Sequence, residues 1–169
     1  MNAKVKKIAV LGVLSALALI IGFVENMFPP VFAMIPYARL GLSNIAVLLA
    51  LVVYGFGEGL TVLFVKVVLL GIFSGNPSMI IYSFAGGMLS ILGMHLMLHF
   101  HKNSLAAISA TGGALHNAAQ VSVAALVTKN AAVFVFMPHL VLFGGLAGIL
   151  TGTVSHLVVK RVITPKLLS

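Results

Sequence analysis

LTVLFVKVVLLGIF, residues 60–73, is an unbroken apolar run except for the hydroxyl of Thr61 and one ammonium group near its centre, that of Lys66. A lysine midway along a bilayer-spanning helix costs about 3 kcal/mol on insertion scales, so it persists only where something satisfies it. The remainder of the chain places this run in lipid. Hydrophobic residues make up 61% of the 169 positions and charged residues only 7%, far below the charge content of soluble domains.

Outward from Lys66, the hydropathy resolves six apolar segments, approximately 8–24, 40–54, 57–73, 77–100, 105–127 and 132–159. Each is near the length a helix needs to cross the hydrocarbon. Unpaired backbone groups are too costly in lipid for open strands, and no segment alternates polar with apolar as a barrel strand does. The pattern predicts one all-α integral membrane domain over residues 1–169, a six-transmembrane-helix bundle. The lysine-rich start of the first segment imitates a signal peptide, but it lacks an A-x-A site and is no more apolar than its successors, so it reads as a helix.

Ten Lys and Arg stand against two acids, Glu25 and Glu58. Most of the basic residues gather toward the termini instead of forming a stripe that tracks phosphates, which fits anionic headgroups better than nucleic acid. With both termini on the cytoplasmic side of a cell membrane, Lys4, Lys6, Lys7, Lys102, Lys160, Arg161 and Lys166 lie inside, and only Arg39 and Lys129 lie outside. The segment 25–39, with Pro29, Pro30 and Pro36, is too apolar to hang in water and reads as a lid folded over the external face. The turns expected at 73–77, 128–130 and 55–57 carry Gly, Asn or Pro.

The polar residues at membrane depth carry the functional reading. Lys66 and His116 fall near mid-depth, Gln120 lies one turn from His116 on the same face, and Asn117 flanks it. Asn44 is placed within two turns of the external end of the second helix, which Arg39 marks. With no carboxylate assigned to the membrane interior, the complement of Lys66, His116, Asn117, Gln120, Asn44 and Arg39 is an anionic or carbonyl-rich small molecule. Two other roles compete: a Lys66 that bonds backbone carbonyls and is purely structural, and amides that only tie helices together. His95 and His99, with His156 at similar depth, allow a metal or haem site by spacing alone, but no carboxylate or cysteine joins them, and neither a metal nor a cofactor is assigned.

Small residues recur at helical spacing. Gly144, Gly148 and Gly152 leave one face of the last segment bare for a neighbouring helix, and Gly12 with Ala16 forms a weaker pair in the first. Packing within the bundle accounts for such stripes, as does docking of a partner, for which the first helix is the better candidate.

The runs ARLGLSNIAVLLAL (38–51), VKVVLLGIFSGNPSMIIYSFAGGMLS (65–90) and GALHNAAQ (113–120) resemble the Gx transporter family, also labelled heptaprenyl diphosphate synthase component I, which is grouped with the S-components of energy-coupling-factor vitamin transporters. The resemblance implies a six-helix S-component-like fold with an outward-opening substrate pocket. It also implies docking on a transmembrane coupling protein through an Ala-xxx-Ala motif, which Gly12/Ala16 and Ala18/Gly22 only approximate here.

The synthase label meets a chemical obstacle. Diphosphate-bound Mg²⁺ needs carboxylates, and this chain contains no aspartate. Nor does it contain a phosphate-binding G-x-x-x-x-G-K-[ST] loop, so ATP-driven transport requires separate ATPase subunits. The expected function is therefore non-enzymatic: a small-molecule-binding subunit of a transporter for a vitamin, flavin or isoprenoid-type substrate. The alternative is a non-catalytic membrane subunit of heptaprenyl or polyprenyl diphosphate synthesis.

Overall fold

The computed structural model describes residues 2–28, 41–100 and 104–163, and every regular element among them is helical. Six α helices follow in order: α1 Ala3–Met27, α2 Asn44–Tyr54, α3 Phe56–Phe73, α4 Pro77–Leu98, α5 Leu105–Thr128 and α6 Met137–Val158. A 3-10 turn, Ala131–Phe136, leads into α6, and a π turn, Val159–Ile163, follows it. The six apolar segments thus become six helices, but not six equal ones.

Four helical stretches, α1, α3, α4 and 131–161, are long and apolar enough to cross a membrane. At 11 residues, α2 rises only about 16 Å, roughly half the hydrocarbon thickness. By contrast α5 has the length, 24 residues, but His116, Asn117 and Gln120 interrupt its apolarity. Both exceptions carry residues of the candidate site.

Local chemistry sets the helix ends. Asn2 accepts from Lys4 N and starts α1 earlier than hydropathy predicts, because three lysines are good helix formers that simply project from the end. At the other end α1 runs to Met27, which brings Glu25 into its last turn. Asn76 caps α4 through Ser78 N with Pro77 in the first turn, and Ser104 caps α5 through Ala107 N. Gly55 alone separates α2 from α3, at φ 109°, a backbone state that side-chain-bearing residues rarely adopt. Near the same end of the bundle Lys7 pairs with Glu58, and its ammonium lies 5.9 Å from the Tyr54 ring centre.

The core forms around α2. Ala46 through Leu51 are all buried, as expected of a helix that is apolar all round, and α2 touches each of the other five helices. Leu48, Ala50, Val62, Leu63 and Ile91 are fully enclosed in this cluster. A second cluster joins Tyr82, Val121, Ala124 and Leu140. The most extensive helix pairing is α5 on α6, where the Gly144, Gly148 and Gly152 stripe lies directly on the backbone of α5. That stripe is used within the bundle. Gly12 and Ala16 instead lie on the outer face of α1, and nothing comes within 4 Å of a Cβ built on Gly12.

Candidate ligand-binding site

Because α2 begins at Asn44, its first turn starts inside the bundle, next to the midpoint of α5. Sequence alone set Asn44 near the external end of a longer helix; the structure puts it between Lys66 and His116. The turn before it, at Gly41 with φ 76°, is irregular backbone that a membrane interior tolerates only where protein or a cavity surrounds it. The Gly41 N–H is satisfied by Glu25 Oε1 at 2.7 Å.

Lys66 is 2% exposed, turned inward from α3. Its ammonium donates to Asn44 Oδ1 at 2.7 Å and to Ser43 Oγ at 3.1 Å. An ammonium has three N–H groups, so one remains beyond these two bonds. Next to it lies a cavity of about 20 Å³ lined by Lys66, Glu25, Asn26, Ser43, His116 and Gln120, among others. Such a volume holds about one water. A larger ligand requires α1, carrying Gly22 and Glu25, to part from the Gly41 to Ser43 side.

Glu25 changes the electrostatics expected from sequence. It lines the same cavity as Lys66, and the two charges attract. The site therefore holds a carboxylate as well as a cation. Sequence reading assigned Glu25 to a loop because apolarity fades before α1 ends; its being one of only two acids in the chain was the available signal. Asn26 was missed for the same reason, and Ser43 because a single serine within an apolar segment stands out little. Asn26 donates to Ser74 Oγ at 3.0 Å, and its buried Oδ1 has no hydrogen-bond partner among the described residues.

His116 completes the inner wall. Asn44 Nδ2 lies 3.2 Å from its Nδ1, and Gln120 Nε2 lies 3.1 Å from its Nε2. A neutral imidazole accepts only once, so both amide nitrogens cannot donate to it. The Lys66 ammonium fixes the oxygen of Asn44, which leaves Nδ2 to donate to Nδ1; Nε2 then carries the proton, and Gln120 turns its oxygen to the ring. The opposite tautomer, with the proton on Nδ1, would set Asn44 Nδ2 against another donor. Nitrogen-15 spectra of His116 are expected to show an Nε2–H imidazole that reverts to the other form in Lys66→Met; an Nδ1–H ring in the wild-type protein would refute the assignment.

Of the residues singled out from sequence, Lys66, Asn44, His116 and Gln120 meet in one hydrogen-bonded group. Asn117 does not join them. It is fully enclosed on the α6 side of α5, donates to Leu140 O at 2.7 Å and fills space left by Gly144, so it ties helices together. Of the lid expected over 25–39, residues 25–27 belong to α1 instead, and 29–39, with Arg39, lie outside the described residues. His95 and His99 are edge-to-face with ring centres 4.8 Å apart, and His99 Nδ1 is 2.9 Å from the His95 carbonyl oxygen. No three of His, Cys, Asp and Glu converge among the described residues, so His156 does not complete a ligand set.

No curated protein and no solved structure matches this chain. Residues 14–158, which include every residue of the cluster, match heptaprenyl diphosphate synthase component I. Apolar helices around a buried lysine, in a sequence matched over most of its length, place this chain in the heptaprenyl diphosphate synthase component I family.

Proposed function

We propose that this protein is the small-molecule-binding subunit of a membrane transporter, similar to an S-component, and that the cavity beside Lys66 is where its substrate is recognised. The observation that carries this reading is the Lys66 ammonium, buried on neutral oxygens, with an N–H to spare and a cavity alongside. A purely structural lysine would be fully capped. The substrate presents a carbonyl or anionic oxygen to Lys66 and, because Glu25 and the Asn26 oxygen share the cavity, at least one hydrogen-bond donor as well. A ring system bearing both carbonyls and N–H groups meets this requirement better than a bare phosphate does.

In this reading all six helices cross or enter the membrane, with α2 as an internal half-crossing, and the basic ends of the chain lie in the cytoplasm. Energy and coupling come from separate membrane and ATPase subunits. Thermal stability of the purified protein in mild detergent, measured with riboflavin, thiamin and a short-chain prenyl diphosphate, tests the proposal. One of the two vitamins is expected to raise the unfolding midpoint. Stabilisation by the prenyl diphosphate alone would move the assignment to the second reading.

That second reading is a non-catalytic membrane subunit of polyprenyl diphosphate synthesis, and the family description favours it. With no aspartate in the chain, a soluble carboxylate-rich partner would have to hold the metal and perform the chemistry. Copurification with such a synthase, whose activity fell when this chain was removed, would support it.

A further inference from the structure

A second cavity lies on the other side of Asn44, between α2, α4, α5 and α6. It is about 10 Å³ and is lined by Asn44, Ser90, Met94, Ser109 and Thr151, with Gly41 shared with the first cavity. Ser90 is 1% exposed, and its Oγ has no hydrogen-bond partner among the described residues. A hydroxyl in that position costs free energy unless something bonds to it. Ser109 Oγ and Thr151 Oγ1 are 2.9 Å apart, and Thr151 Oγ1 donates to Gly148 O at 3.1 Å. Since the Thr151 proton is committed, Thr151 accepts from Ser109, and the Ser109 oxygen keeps lone pairs for another donor.

We propose that this second cavity is a site for one resident water, held between the Ser90 hydroxyl and the Ser109 oxygen. The size admits nothing larger. The chemistry selects a neutral guest: the lining has no carboxylate, and Asn44 is already bonded to the Lys66 ammonium, which repels a cation. The water accepts a hydrogen bond from the Ser90 hydroxyl and donates one to Ser109 Oγ. It extends the polar groups of the Lys66 cavity past Asn44 toward the opposite ends of α5 and α6, and gives the Asn44 carboxamide another neighbour to bond. The site stands whether or not the Lys66 cavity takes a substrate.

Radiolytic hydroxyl labelling of the detergent-solubilised full chain tests it, because Met94 is 1% exposed yet lines the cavity. Radicals from bulk solvent do not reach it; a trapped water generates them beside its sulfur. Met94 is expected to be oxidised in the wild-type protein and several-fold less in Ser90→Val, whose methyls occupy the space. Ser90→Ala supplies the second measurement through the sign of its effect. Loss of a water-bonded hydroxyl lowers the unfolding midpoint by about 2–4 °C, whereas removal of an unsatisfied one raises it. Unlabelled Met94 in the wild-type protein, or a raised midpoint in Ser90→Ala, would overturn the proposal.

Discussion

Gly148→Leu is expected to abolish the folded state. A Cβ at Gly148 would fall 2.6 Å from Ala110 Cα and 2.8 Å from the Ser109 carbonyl carbon. These are backbone atoms, which cannot turn aside as a side chain can, so α5 and α6 would have to separate. The damage spreads along the whole seam, because Gly144 and Gly152 also lie on α5 backbone, at Gly113 and at Leu105 and Ala106. Overpacking a tight core by a few carbons costs about 1–3 kcal/mol, and leucine adds more than that against atoms that do not yield. Total stability is only ~5–15 kcal/mol, so little folded protein should remain. Even Gly148→Ala should lower stability by about 2 kcal/mol. The loss of a monodisperse peak on heating in detergent reads both, and Gly12→Leu is the control. With nothing within 4 Å of its Cβ, that change should shift stability by less than ~0.5 kcal/mol. If Gly148→Leu were as stable as Gly12→Leu, the close α5–α6 approach would be wrong.

Lys66→Met is expected to leave the protein folded and strip it of its bound small molecule. Methionine keeps the length of the side chain and suits the apolar surroundings of α3, so packing is preserved. What disappears is the ammonium that orients Asn44 and that, in the proposed function, meets the substrate. A hydrogen bond to a charged group contributes about 1.5–3 kcal/mol net, so small molecules released by denaturing the variant should fall by roughly 10–100-fold relative to the wild-type protein. Mass spectrometry of the released fraction measures this directly. Equal retention by a folded Lys66→Met would leave the lysine as an internal strut and remove the basis of the proposed function.

The two substitutions test different levels of the molecule. The glycine seam concerns how helices approach, and its outcome follows from sterics alone. The lysine concerns what the approach encloses. Asn117 belongs to the first group, although its neighbours in sequence, His116 and Gln120, belong to the second. On a helix of 3.6 residues per turn Gln120 lies only about 40° around the axis from His116 while Asn117 lies about 100° from it, so Asn117 turns to α6 while the other two face the cavity.

By itself the sequence determined the environment, the helical class and the identity of the central cation. Those properties depend on composition and on local periodicity, which need no neighbours: a chain this apolar requires lipid, lipid requires satisfied backbone, and a lone ammonium in such a run requires partners. Lys66, His116 and Gln120 were legible because polarity stands out against apolar residues. Tertiary structure decided which partners. The half-length of α2, set by where its backbone stops being helical at Gly41, brought Asn44 and Ser43 against Lys66, and the extra turn of α1 brought Glu25 to the same cavity. Only the packing of helices distant in the chain fixes such distances, and only that packing turned an apparently unopposed cation into a site of mixed charge.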